Sequence, residues 1–242
     1  MAEGTLKTLS RREALGAIGA AFTAAGCSGG TPTSPTTTPT AATTTTTTGT
    51  TTTPPTSTST CAVTPSETEG PFPSIALPTR SDVREDRQGL VLNLAVSVVN
   101  TNASCTPVTS ATVEIWQCDA AGNYSEYGSL TSATWLRGIQ PVDGSGVARF
   151  VTVYPGWYAG RATHIHVEVA VAGRSVKVTQ IAFPEEISNG VHRTGVYASH
   201  GLNSTTNARD NVFSDGVSSE LATLTGDTTG GYNATFTVGV GL

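Results

Sequence analysis

Six segments of this 242-residue chain alternate apolar and polar residues in steps of two. That period fits a pleated strand and does not fit a helix. The segments are 91–99, 111–118, 147–153, 164–171, 176–181 and 232–240, and they are rich in Val, Ile and Thr. Turn-forming runs separate them: Ala121-Gly122-Asn123, Asp143-Gly144-Ser145-Gly146 and Ala172-Gly173. Short strands at this spacing predict an all-β fold, a β-sandwich. No helical period persists over ten residues, apart from a turn or two near Ser218-Ser219-Glu220-Leu221-Ala222. No apolar run reaches the roughly 18 residues of a membrane span.

The pattern starts late. Residues 1–60 hold 3 Lys+Arg and 2 Asp+Glu, whereas residues 61–242 hold 10 and 16 and all four His. Lys7, Arg11 and Arg12 precede a short apolar run at 14–22, the layout of an export signal. Ser10-Arg11-Arg12-Glu13-Ala14-Leu15 resembles a twin-arginine signal, and Ala24-Ala25-Gly26-Cys27 resembles a bacterial lipoprotein box in which Cys27 is lipidated. The alternative is a plain signal with a chance Cys. Residues 28–60 are almost wholly Thr, Ser, Pro, Gly and Ala, with nothing to bury, so they read as a disordered linker. The expected organisation is a signal over 1–27, a linker over 28–60 and one domain over 61–242. It implies export to a bacterial cell envelope, with a lipid anchor as the sole membrane contact, or secretion. About 180 residues suffice for an independent core. The net charge of -5 and the lack of a basic stripe argue against a nucleic-acid partner.

If Cys27 is lipidated, Cys61, Cys105 and Cys118 remain, enough for one disulfide. The sequence does not choose the pair. Because Cys105 precedes the strand that Cys118 ends, Cys105–Cys118 is the working expectation, with buried free thiols as the alternative.

In His164-Ile165-His166 the two imidazoles share one strand face while Ile165, Val167 and Val169 share the other. Two imidazoles a pleat apart can chelate one ion, although a lone pair of this kind is weak evidence. Tyr154 follows the strand at 147–153, and Tyr124 ends the turn Gly122-Asn123-Tyr124. Two phenols and two imidazoles would form an O2N2 set, and phenolate favours Fe(III).

The order of these motifs resembles the intradiol ring-cleavage dioxygenases. The segment Glu114-Ile115-Trp116-Gln117-Cys118-Asp119-Ala120-Ala121-Gly122-Asn123-Tyr124-Ser125 is similar to the one that carries that family's first iron Tyr. Tyr154-Pro155-Gly156-Trp157-Tyr158-Ala159-Gly160-Arg161-Ala162-Thr163-His164-Ile165-His166 resembles the second Tyr followed by Arg-x-x-His-x-His. Thr64-Pro65-Ser66-Glu67-Thr68-Glu69-Gly70-Pro71-Phe72 resembles the family's opening motif, and Gln180 falls where the family often has a site Gln. The resemblance implies a transthyretin-like or immunoglobulin-like sandwich holding one Fe(III) per domain through Tyr124, Tyr154, His164 and His166. It implies a catechol-type substrate, cleaved with O2 between its two hydroxylated carbons to a muconate-type diacid. Tyr154 would release the metal and take a substrate proton, Arg161 would stabilise negative charge on the ring, and Gln180 would assist by hydrogen bonding. The rival reading is a noncatalytic cell-surface sandwich, since fold alone gives no function. A zinc hydrolase on the same His pair lacks a third ligand at suitable spacing.

The other residues carry plainer expectations. Tyr127 and Tyr158 read as pocket wall or surface, Trp116, Trp135 and Trp157 as core or lining, and His192 and His200 as exposed. Asp119 and Glu168 read as orienting partners for imidazoles or as solvated charges. Arg137 reads equally as a pocket residue or an outer ion pair.

Overall fold

The computed structural model describes residues 61–242, so the expected signal and linker lie outside the described residues. The strands are β1 (Val91–Asn100), β2 (Thr106–Pro107), β3 (Ala111–Trp116), β4 (Arg137–Pro141), β5 (Val147–Val153), β6 (His164–Val171), β7 (Arg174–Ala182), β8 (Thr223–Asp227) and β9 (Gly231–Val240), with a helix α1 (Glu185–His192) between β7 and β8.

They form two sheets, as the alternation predicts. In one, β1 pairs in parallel with β9, which pairs with β8, while β5 and the short β2 pair antiparallel to β1. The other runs β4-β3-β6-β7 and is antiparallel throughout. Leu92, Leu94, Val96 and Val98 of β1 share one buried cluster with Val113 and Ile115 of β3 and Ile165, Val167 and Val169 of β6. Each such side chain contributes about 1.5–3 kcal/mol by leaving water. The sandwich closes on these residues, and the opposite face of β6 carries His164, His166 and Glu168.

That second face is not open to water. His164 and His166 are both buried. Segment 64–72 runs beside the sheet: Glu67 donates its backbone N–H to Val178 at the β7 edge. A Cβ on Gly70 (φ +70°) would lie 3.1 Å from His166 Cε1, so the chain passes close over the imidazole in a conformation only glycine adopts without strain.

One expectation is corrected here. The disulfide joins Cys61 to Cys105, with their Cα atoms 5.6 Å apart, and Cys118 is free and buried. Thr64 is hydrogen-bonded to Gly239 of β9, and β9 lies against β1, which brings the start of the domain beside the turn that follows β1. Cys118 instead packs with Trp116 and Tyr124. The single helical turn expected near 218–222 is present: Glu220 and Leu221 donate their backbone N–H groups to the Val217 carbonyl at 2.9 and 2.8 Å, after which Leu221 bridges to Ala182. The helix is α1, which begins after Pro184 with Glu185 and Glu186 in its first turn, where carboxylates complement the helix dipole, and buries Ser188, Val191 and His192.

Candidate metal centre

The site is built on the outward face of β6. His166 is flanked across the ladder by Trp116 of β3 and Gln180 of β7. The Trp116 indole lies parallel to its ring, with centroids 4.8 Å apart. His164 Nδ1 donates to the Ala162 carbonyl at 2.6 Å. That contact fixes the tautomer and leaves Nε2 with a free lone pair. The two Nε2 atoms are 3.1 Å apart, about the separation of adjacent ligands on one ion with bonds of about 2.1 Å. Burial, with Arg161 adding to it, pushes the His164 pKa down to about 3, and burial likewise lowers that of His166. Both rings are neutral at physiological pH, the state a metal ligand requires.

Tyr124 reaches this point from the turn after β3. Asp119 Oδ1 accepts the backbone N–H of Ala121 and Asn123 at 3.0 and 2.9 Å and holds the turn in shape. Phe72 stacks on the Tyr124 ring at 4.6 Å, and the ring lies 6.2 Å from that of His166. The Tyr124 hydroxyl is buried without a hydrogen-bond partner among the described residues. Orphaned buried hydroxyls are costly and call for an explanation. Burial raises the pKa of this phenol, and a cation beside it would reverse that shift.

The second phenol is Tyr158, not Tyr154. Tyr158 lies 5.7 Å from His164 and 5.6 Å from Tyr124 by ring centroids. Tyr154 sits in the main core among Phe183, His192 and Tyr232, and its hydroxyl shares a 2.8 Å hydrogen bond with Ser188 of α1. The reason is parity. Ala148, Phe150 and Thr152 are buried at alternate positions of β5, joined by Val153 at its end, and Tyr154, whose N–H still bonds Leu90, continues the inward parity of the first three. Pro155 and Gly156 then turn the chain outward. Gly156 packs so tightly on the Asp119–Ala120 backbone that no Cβ fits there, which sets Tyr158 beside the Tyr124 turn.

Arg161 and Gln180 both reach the site. Arg161 Nη1 lies 3.4 Å from the Tyr158 hydroxyl and 3.5 Å from His164 Nε2. Its Nη2 donates to Gln180 Oε1, while Gln180 Nε2 donates to the Thr68 carbonyl at 2.8 Å. Its Nε is held at 3.0 and 2.9 Å by the two oxygens of Asp210. Asp210, a buried acid 49 positions from Arg161, carries no local signal in the sequence. Arg137 lies behind Tyr124 and is completely buried. It pairs with Glu126 at 3.1 Å and donates to Ser125 and Phe72.

The remaining residues fall elsewhere. Tyr127 caps the Pro73 carbonyl. Trp135 is in the core, and Trp157 donates to Gly201. His192, expected exposed, is buried under Tyr154 with Nε2 donating to the Pro155 carbonyl, and His200 donates to the Trp157 carbonyl and is half-buried. Asp119 serves its turn and Glu168 faces Glu114 across the sheet, so neither orients an imidazole.

Two imidazole nitrogens and two phenol oxygens, one of them orphaned, suit one hard, highly charged cation. A family model described as dioxygenase matches residues 73–192. No curated protein matches. An intradiol ring-cleavage dioxygenase from Tetranychus urticae is 26% identical, with a TM-score of 0.69, over 75% of this chain and 95% of that one. The dioxygenase domain of a dioxygenase and carbohydrate-binding protein fusion from a cellulolytic Streptomyces is 27% identical, with a TM-score of 0.57, over 75% of this chain and 99% of that one. A 3-chlorocatechol 1,2-dioxygenase from Rhodococcus opacus, 21% identical over 73% of this chain and 72% of its own, shares the fold with a TM-score of 0.53. With its two-sheet fold, its matched segment and its site on β6, this chain belongs to the intradiol ring-cleavage dioxygenase family.

Proposed function

We propose that this protein is a non-haem Fe(III) dioxygenase that opens a catechol-type ring between its two hydroxylated carbons, both atoms of O2 entering the muconate-type diacid. The observation that carries this reading is the grouping of Tyr124, Tyr158, His164 and His166, with Arg161 and Gln180 alongside. Those four residues would hold the iron, Tyr158 taking the place expected of Tyr154. Bound there, ferric iron would supply Lewis acidity and an electron path between catechol and O2.

The chain's own residues do the rest. Tyr158 is only partly buried, whereas Tyr124 is enclosed, so Tyr158 is the phenol able to accept a substrate proton at its oxygen. Arg161, fixed by Asp210, presents a cation where negative charge develops on the ring, and it needs no rearrangement to do so. Gln180 is anchored at both ends of its amide and keeps Arg161 aimed. Phe72 and Trp116 close the apolar sides and exclude water.

Export with a lipid anchor at Cys27 belongs to the same proposal. It is supported by the basic-apolar leader, and the Cys61–Cys105 disulfide suits an oxidising compartment. The functional test is iron reconstitution followed by catechol and O2. One O2 consumed per diacid formed supports the proposal; a fully iron-loaded protein that consumes no O2 with any simple catechol refutes it.

A further inference from the structure

A second group of acids lies at the edge of β7. Oxygens of Glu67, Asp215 and Glu220 lie within 4.8 Å of one another. Glu220 has no exposed surface. Its Oε1 accepts from the Thr179 hydroxyl at 3.3 Å, while Oε2 has no partner among the described residues. An unpartnered, buried carboxylate oxygen is costly, and two more acids beside it raise that cost.

We propose that Glu67, Asp215 and Glu220 form a second cation site, taking a hard divalent ion of the calcium class. Carboxylate oxygens alone select such an ion over thiophilic or imidazole-seeking metals. Glu67 is half-buried and Asp215 exposed, so the ion has a path from solvent while Glu220 meets it from within. Among the described residues, Arg161, the cation that acts on Glu67, is already paired with Asp210. Burial and then Glu67 push the Glu220 pKa up to about 8, as expected of an acid that lacks its counter-ion.

The site joins parts of the chain that matter to the centre on β6. Glu67 lies one residue from Thr68, whose carbonyl holds Gln180, and three from Gly70, which lies over His166. Glu220 accepts the N–H of Ala182 through its backbone carbonyl, at the end of β7 opposite His164. A bound ion would tie segment 64–72 to the 213–220 segment.

The test uses the iron-loaded full chain in calcium-depleted buffer, titrated with calcium chloride by calorimetry and followed by thermal unfolding. One ion per chain is expected, with Kd of about 10⁻⁴–10⁻³ M. At a hundredfold excess over Kd, Tm should rise by roughly 5–10 °C. Asp215→Asn, at an exposed position that leaves folding intact, should weaken binding at least tenfold, and Glu220→Gln should abolish it. No binding by the parent chain, or unchanged binding by Asp215→Asn, would overturn the site. So would a Glu220→Gln protein that is more stable than the parent with or without calcium, since the carboxyl would then be merely a buried acid.

Discussion

Arg137 offers the sharpest energetic test of how the site is held. It is fully buried, pairs with Glu126 at 3.1 Å, and bonds the Ser125 hydroxyl and carbonyl and the Phe72 carbonyl. Glu126 in turn accepts the N–H groups of Ile75 and Ala76 at 2.8 and 2.7 Å, although its own backbone is strained at φ 69°. One ion pair therefore fastens the segment that follows Tyr124 to the segment that places Phe72 on it. Arg137→Met keeps the volume and removes the charge, leaving Glu126 buried and unpaired. Loss of one partner from a buried pair costs about 3–5 kcal/mol. For a domain of this size that is a fall in Tm of roughly 6–20 °C. Urea unfolding followed by Trp fluorescence gives the free energy. The double variant Arg137→Met with Glu126→Gln should recover a large part of the loss, because no buried charge remains and the amide oxygen still accepts one N–H. A single-variant cost under about 1 kcal/mol, or a double variant as unstable as the sum of the singles, would refute the reasoning.

Three further outcomes follow from the same contacts. Reducing Cys61–Cys105 should destabilise the domain by at most about 4 kcal/mol, the chain-entropy value for a loop this long; in the folded state Cys118, whose thiol pKa burial raises, should resist alkylation, as mass spectrometry before and after unfolding will show. Gly70→Ala puts a methyl 3.1 Å from His166 Cε1 at a positive φ, so it should lower iron affinity measured by competition with a chelator, with a smaller effect on Tm. Arg161→Ala should keep iron but slow turnover about 10²–10³-fold, the usual effect of removing one preorganised charge; full retention of rate would remove Arg161 from the chemistry.

Much of this molecule is readable from period and order. The alternation at 147–153 and 164–171 coincides with β5 and β6, and it assigns Ile165, Val167 and Val169 to the core. The strand β4 was not readable, because Arg137, Gly138 and Pro141 contradict a strand until Glu126 neutralises the buried Arg. The short exposed edge strand β8 carries Gly226 and Asp227 and gives no apolar signal. Tyr154 is more instructive. Its parity with Phe150 and Thr152 marks it as an inward residue, yet its place before the Gly-Trp-Tyr stretch suggests a ligand. Local alternation outweighed motif order, and Tyr158 stands beside the imidazoles. Asp210 and the Cys61–Cys105 pairing arise from contacts 49 and 44 positions apart, which no local pattern encodes.

One spectrum decides which phenol, Tyr158 or Tyr154, serves the centre on β6. The parent chain, Tyr158→Phe and Tyr154→Phe are each reconstituted with ferric iron, and the visible phenolate-to-iron absorption is recorded beside the iron content. Tyr154→Phe should keep the parent's band and iron and lose only about 1 kcal/mol of stability with its Ser188 hydrogen bond. Tyr158→Phe should shift or lose the band and bind iron more weakly. A bleached Tyr154→Phe beside a Tyr158→Phe with the parent's spectrum would contradict the site described for this protein.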